Sequence, residues 1–224
     1  MLTRRCALAL TAAFLASPAQ AREEQKYPLR ADDGGDLSNY PVPVELDPGK
    51  LPGIVWKGPA SGDVSIYEFF DYNCGFCRAA ARDLDAMVAA DPKLRLGLVN
   101  NAILSMGSAQ AAKVQQAVLR LHGPPAAYDY HMRMFARRGE ANGASALAVV
   151  RAMGLDAAKI EASGDADSVT QVLVRQQKLA EALDLDTTPS FVVSSTAVAG
   201  WAGPKALKRI VANSRKCGAP HCGG

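Results

Sequence analysis

The sequence predicts an α/β fold in which a βαβ unit and a ββα unit are separated by an all-helical insertion. Three observations lead there. A β-branched and aromatic run, Val64 to Phe70, ends in a short turn and hands over to an Ala-rich helical segment opening with Cys74-Gly75-Phe76-Cys77. A second strand follows, and then helical periodicity persists from Ser108 to about Asp184. Strand composition returns at Ser190-Phe191-Val192-Val193, directly after Thr187-Thr188-Pro189.

In chain order, residues 1–21 read as a secretory signal peptide. Arg4 and Arg5 precede an apolar run from Cys6 to Ala16, and Ala19-Gln20-Ala21 is a small-x-small cleavage signature, with cleavage after Ala21. Export implies the periplasm, an oxidising compartment where paired cysteines persist. Cys6 leaves with the signal, so the mature chain carries Cys74, Cys77, Cys217 and Cys222. The net charge is +3, two of it from Arg4 and Arg5. That balance points to neither nucleic acid nor an anionic membrane surface. No later apolar run reaches the roughly 18 residues of a membrane span, and a soluble mature protein is expected.

Residues 22–62 are rich in Pro, Gly and Asp and read as an extended lead-in, with one short strand near Val42 to Leu46. Residues 63–107 form the first half of the α/β unit: strand Ser65 to Phe70, helix Cys74 to Ala90 stopped by Asp91-Pro92, and parallel strand Leu94 to Val99. The insertion occupies 108–185. It reads as five apolar stripes with breaks at Gly123-Pro124-Pro125, near Gly139 and at Gly154, and with Asp156 capping the fourth helix. Residues 186–214 return as a hairpin, Ser190 to Val193 and Ala197 to Ala199, and a last helix from Lys205 to Asn213. Residues 215–224 are a polar tail containing two cysteines.

The chemistry sits where the first strand meets its helix. Unpaired backbone N–H groups and the helix dipole favour an anion at Cys74, which lowers a thiol pKa from about 8.5 into a range of roughly 3.5–7.5. Cys77, three residues on, faces the same side one turn inward. The outer sulfur is suited to attack a disulfide and the inner one to resolve the mixed disulfide, which is redox chemistry. A purely structural bridge does not call for a helix start. A zinc site joining Cys74 and Cys77 to Cys217 and Cys222 has a spacing far from that of a zinc ribbon.

The residues Glu68-Phe69-Phe70-Asp71-Tyr72-Asn73-Cys74-Gly75-Phe76-Cys77, Asp91-Pro92-Lys93-Leu94-Arg95, and Leu179-Ala180-Glu181-Ala182-Leu183 running into Thr188-Pro189-Ser190-Phe191-Val192 resemble the DsbA family of exported thiol–disulfide oxidoreductases. The likeness is nearest to its ScsC-like (suppressor of copper sensitivity) and Com1-like branch and covers about Gly62 to Val211. It implies a thioredoxin fold with a helical domain inserted between the βαβ and ββα halves. It also implies that Pro189 is cis beside the cysteine pair, and that Thr188 offers its backbone to a substrate polypeptide as an added strand would. Gly75 and Phe76 complete the expected substrate-facing set. Glu68 matches the family's buried acid, expected to accept or relay the proton of Cys77. Gly75-Phe76 supplies no histidine to hold the Cys74 thiolate, so a milder oxidant is expected within the span of about −120 to −270 mV. Thr188 is also common in the isomerase branch, which leaves the direction of electron flow open.

The resemblance further implies catalysis without a cofactor, since the cysteine pair is itself the electron carrier. Unfolded or partly folded exported proteins are the expected substrates, and a membrane redox partner is implied by turnover. The lead-in offers no amphipathic helix for oligomerisation, so a monomer is expected. An isomerase or reductase of the ScsC type, linked to copper tolerance, is one alternative; a copper- or zinc-binding periplasmic protein is another. For Cys217 and Cys222 a local disulfide, a metal contact shared with His221, and a second redox pair all stand. His122 reads as a helix-end cation, His131 as a surface or boundary residue, and Met132 and Met134 as core filling. Arg78 reads equally as a partner of the thiolate and as part of a solvated helix face.

Overall fold

The computed structural model describes residues 27–223. The signal-peptide segment 1–21 lies outside the described residues. The elements are β1 (Asn39–Pro41), β2 (Val55–Lys57), β3 (Val64–Phe70), α1 (Gly75–Ala90), β4 (Leu94–Asn100), α2 (Met106–Ala136), α3 (Gly143–Ala152), α4 (Ala157–Gly164), α5 (Asp167–Ala182), β5 (Ser190–Val193), β6 (Thr196–Ala199) and α6 (Pro204–Cys217).

The sheet runs β1-β6-β5-β3-β4-β2. The central strand β3 pairs in parallel with β4, Glu68 opposite Leu98, and antiparallel with β5, Glu68 opposite Phe191. The β3–β4 pair is parallel because α1 carries the chain back across the sheet between them, whereas β5 and β6 join through a tight turn and run antiparallel. Both faces are covered. On one, Ile66, Phe70, Leu96, Leu98 and Phe191 pack with Leu84 of α1, Leu207 and Ile210 of α6 and the apolar stripes of α2 to α4. On the other, Phe69, Val99 and Val192 pack with Ala180 of α5, Leu183 at its C-cap, and Val42 and Ile54 from the lead-in. Strands buried on both faces read as continuous apolar runs, which is how β3 reads from Phe69 onward.

The lead-in departs from the expected extended strip. The Val42-to-Leu46 strand is not present: Val44–Leu46 and Pro48–Lys50 are 3₁₀ turns. Instead Asn39–Pro41 and Val55–Lys57 form the two edge strands of the sheet. Pro41 lies within the first of these strands and has no N–H to give a second neighbour, which suits it to an edge. Residues 27–62 also finish the last helix. Gly203 offers no capping side chain to α6, and Asp32 supplies the missing acceptors, taking the Lys205 and Ala206 N–H groups at 3.0 and 2.7 Å. A Cβ at Gly203 would lie 2.6 Å from that carboxylate, and its φ of +84° also calls for glycine.

The break expected at Gly123-Pro124-Pro125 is present: Met106–Ala136 is two helical segments that meet there at a kink. Gly123 leaves helical geometry at φ 80°, ψ 177°, and the two prolines open the next turn at once. Proline is suited to that position because the first helical N–H groups have no partner within the helix. No helix among the described residues is long and apolar enough to cross a membrane.

Candidate active site

Strand β3 delivers the chain through Asp71-Tyr72-Asn73 to Cys74, which is the N-cap residue of α1. The cap is a sulfur: Cys74 Sγ accepts the Cys77 N–H at 3.2 Å. On its other side the Cys74 thiol donates to the Thr188 carbonyl oxygen at 3.1 Å. The Thr188–Pro189 peptide bond is cis. Both thiols are free. Cys74 keeps 6% of its surface and Cys77 none, while Phe76 between them is 68% exposed and Gly75 has open space around it. The outer sulfur is thus more covered than a helix-start position alone suggests, with the cis-proline segment as its lid.

The two thiols are driven apart in acidity. Cys74 is held down at about 6 against an ordinary 9.0, chiefly by hydrogen bonding from the Cys77 side chain, with burial working against it and the backbone N–H groups of Cys77 and Phe76 adding to it. A carbonyl oxygen facing a thiolate opposes it, so the depression rests on the Cys77 groups, the Thr188 side chain and the Phe76 N–H rather than on the Thr188 carbonyl. Cys77 is pushed far above its ordinary value, first by burial, then by the hydrogen bond it gives to Cys74 and by the proximity of Glu68. Glu68 is fully buried, neither of its carboxyl oxygens has a hydrogen-bond partner, and burial raises it to about 8, with the charge of Cys74 as the second cause. At neutral pH these three acids therefore carry one negative charge, on Cys74.

Two residues missed in the sequence hold this loop. Asp71 is buried and accepts from the Asn73 N–H at 2.7 Å, the Ser108 hydroxyl at 2.6 Å and the Leu104 N–H at 2.9 Å. Asn73 bonds both ways with Ala141, N–H to Oδ1 at 2.7 Å and Nδ2 to carbonyl at 3.0 Å, and its Nδ2 also reaches Ser105 and Ser108. Together they pin the turn before Cys74 to the start of α2 and to the approach to α3. Asp and Asn in a turn before a helix are a general signal for such bonds, but their partners lie 30 to 70 residues away in sequence.

Two expectations are corrected. His131 is not at the surface: it is buried among Phe70, Tyr72, Tyr128 and Phe135, its Nδ1 has no partner, and burial holds its pKa down at about 3. It lies three residues from Tyr128 and four from Phe135, on the apolar stripe itself, which was the available signal. Arg78 neither holds the thiolate nor lies on a solvated face; its guanidinium donates to the carbonyls of Phe135 and Arg137, closing the end of α2.

Cys217 and Cys222 are joined in a disulfide at the end of α6, with Cα atoms 6.0 Å apart. Among the described residues no three His, Cys, Asp or Glu side chains converge as a metal-binding set.

The family model for thioredoxin matches residues 50–213. Among solved structures, a thioredoxin-like oxidoreductase from Silicibacter pomeroyi DSS-3 is 34% identical, with a TM-score of 0.69, 74% of this chain and 94% of that one covered. The thiol-disulfide exchange protein alpha-DsbA2 from Wolbachia pipientis is 25% identical, with a TM-score of 0.67 over 71% of this chain and 86% of that one. The catalytic domain of Proteus mirabilis ScsC shares the fold at 19% identity, with a TM-score of 0.67 over 73% of this chain and 90% of that one. A search of curated proteins finds no match. With a dithiol at the strand-to-helix junction and these likenesses over most of its length, the chain belongs to the thioredoxin family, among its DsbA-like thiol–disulfide oxidoreductases.

Proposed function

We propose that this enzyme exchanges disulfides with exported polypeptides in the periplasm through Cys74 and Cys77. The observation that carries the reading is the split between the two thiols: Cys74 ionised at neutral pH, Cys77 sealed and protonated. In the reducing direction, the Cys74 thiolate attacks one sulfur of a substrate disulfide. A Cys74–substrate S–S bond forms, the substrate's own S–S bond breaks, and the departing thiolate takes a proton. Cys77 then gives up its proton and attacks Cys74 Sγ. The Cys74–Cys77 bond forms and the second substrate thiolate leaves. The substrate has gained two electrons and the enzyme pair has lost two; the same steps in reverse oxidise a dithiol.

Glu68 is the proton acceptor for Cys77 in this scheme. Thr188 and Pro189 present backbone to the substrate, with Gly75 and Phe76 on the open side of the sulfur. The signature at Ala19-Gln20-Ala21 supports export. A monomeric enzyme is part of this proposal. A membrane redox partner would reset the pair after each cycle.

A Cys74 pKa of about 6 supports a mild oxidant. At pH 7 it favours the dithiol form by a factor of roughly ten over an ordinary thiol, about 1.4 kcal/mol or ~30 mV. Equilibration of the purified protein with a glutathione series tests this. A potential between about −120 and −270 mV is expected, together with insulin reduction that is lost in Cys74→Ser. Turnover that survives that substitution overturns the reading.

A further inference from the structure

A groove of about 550 Å³ runs beside the cis-proline segment. Its exposed apolar surface comes from Ile103 and Leu104, with Leu185 buried behind them, and Glu181, Asp184 and Asp186 also line it. Leu104 is 54% exposed and Ile103 40%, two of the few large apolar side chains left in solvent among the described residues. Exposed apolar side chains gathered in a concavity mark a contact surface rather than a chance of composition. No lysine or arginine among the described residues lines the groove.

The walls are fixed to the active-site loop. Asn101 donates its side-chain amide to the Leu185 carbonyl at 2.9 Å and its N–H to the Phe70 carbonyl at 2.8 Å. The Leu104 N–H donates to Asp71, three residues before Cys74. The opposite wall leads straight on through Asp186 and Thr187 to Thr188, whose carbonyl oxygen touches Cys74 Sγ. Asp184, at φ +46°, turns the chain out of α5 in the left-handed conformation that Asp tolerates, and sets the direction of that wall. An extended polypeptide advances about 3.3 Å per residue. A strand laid along Thr188 therefore brings a side chain two or three residues from its reacting cysteine over the groove.

We infer that this groove selects substrate polypeptides carrying a lysine or arginine, next to an apolar residue, two to three positions from the reacting cysteine. The inference rests on the proposed thiol–disulfide exchange and adds the class of substrate segment. The long aliphatic stem of a cationic side chain covers Ile103 and Leu104 while its head reaches the carboxylates of Glu181 and Asp186. Glu181 accepts a hydrogen bond from Gln177, a neutral partner, and neither Glu181 nor Asp186 takes part in an ion pair among the described residues.

The test uses two synthetic peptides, each closed by one intramolecular disulfide and identical except for Lys or Glu two residues before the first cysteine. Their reduction by the dithiol protein is followed by acid quench and chromatography. Each rate is divided by the same protein's rate with hydroxyethyl disulfide, which is too small to span the groove. The Lys peptide is expected to react about fivefold faster than the Glu peptide at low ionic strength, with the ratio shrinking in salt. In Glu181→Gln with Asp186→Asn it should fall toward one, and in Asp186→Lys it should invert. Equal rates in the unsubstituted protein, or a ratio the substitutions leave unmoved, overturn the inference. Where hydroxyethyl disulfide is reduced but the peptides are not discriminated, only the groove assignment fails. Where hydroxyethyl disulfide is not reduced either, the exchange reading fails with it.

Discussion

Replacing Glu68 by glutamine tests whether this side chain is carried as a neutral acid. Glu68 is buried without hydrogen-bond partners, and its pKa is raised from 4.5 to about 8, by burial first and by the Cys74 charge second. In the unfolded chain it titrates near the lower value. Between the two, the folded protein retains a proton that the unfolded chain has released, so rising pH favours unfolding. The stability tied to this proton is complete below about 4.5 and lost as the pH climbs toward about 8. Each pH unit inside that window removes about 1.4 kcal/mol, so the loss from pH 4.5 to 7 is roughly 3 kcal/mol. Glutamine has the shape of the protonated acid and does not titrate. Urea unfolding followed by circular dichroism should therefore show the unsubstituted protein losing roughly 3 kcal/mol more than Glu68→Gln across that range. Both proteins are compared in the disulfide form, because a Cys74 held at about 6 titrates in the dithiol form with the opposite sign. Burial, the larger cause of the Glu68 shift, is unaffected by that choice. Parallel stability profiles for the two proteins would refute the neutral-acid reasoning.

In the dithiol protein, carbamidomethylation by iodoacetamide should follow a single ionisation near pH 6 at Cys74, while Cys77 stays unmodified through pH 9; mass spectrometry of the digested protein separates the two sites. The depressed Cys74 pKa gives the dithiol form a contribution that grows as pH rises from about 6 toward 9 and offsets the Glu68 loss up to about pH 8; Cys74→Ser abolishes that contribution in the same unfolding assay. Asn73→Ala removes the bonds to Ala141 and leaves that N–H without its acceptor, for a loss of about 1–3 kcal/mol. Removing the tail disulfide by Cys217→Ser with Cys222→Ser should cost at most about 2 kcal/mol, since it closes so small a loop. Insulin reduction should continue at the original rate in that variant.

The parts of the fold that follow from local pattern were legible in the residues. Strand β5 has the bounds its composition predicts, and α1 and α6 stand on their expected apolar faces, because burial periodicity and β-branching act within one element. The lead-in was not legible. Asn39–Pro41 and Val55–Lys57 are strands only because β6 and β4 offer them edges, and three-residue edge strands carry no periodicity of their own. His131 was misread because a histidine was weighed by its polarity and not by its place on the stripe. Asp71 and Asn73 lay inside the motif, yet their work is done by bonds to Ser108, Leu104 and Ala141, and sequence spacing encodes none of these pairings.

The same charges that divide the three acids also order the proposed exchange. While the pair is reduced, the Cys74 thiolate is one of the two causes that keep Glu68 protonated, and a protonated carboxyl cannot take a proton from Cys77. Cys77 is then doubly restrained, buried and donating to Cys74. Attack on a substrate disulfide turns the thiolate into a neutral sulfur of a mixed disulfide. That removes the charge that raised Glu68 and also the acceptor that held the Cys77 proton. Burial still favours the protonated acid, but the charge that opposed its ionisation is gone when a base is first required, and the resolving thiol loses its competing bond at the same moment. If this ordering holds, Glu68→Gln should leave the formation of the mixed disulfide nearly unchanged and slow its resolution by Cys77 by about 100-fold or more, the ordinary worth of a positioned base. Rapid-quench trapping of the Cys74–peptide adduct separates the two steps. Equal slowing of both would mean that Glu68 acts on the Cys74 thiolate and not on the Cys77 proton.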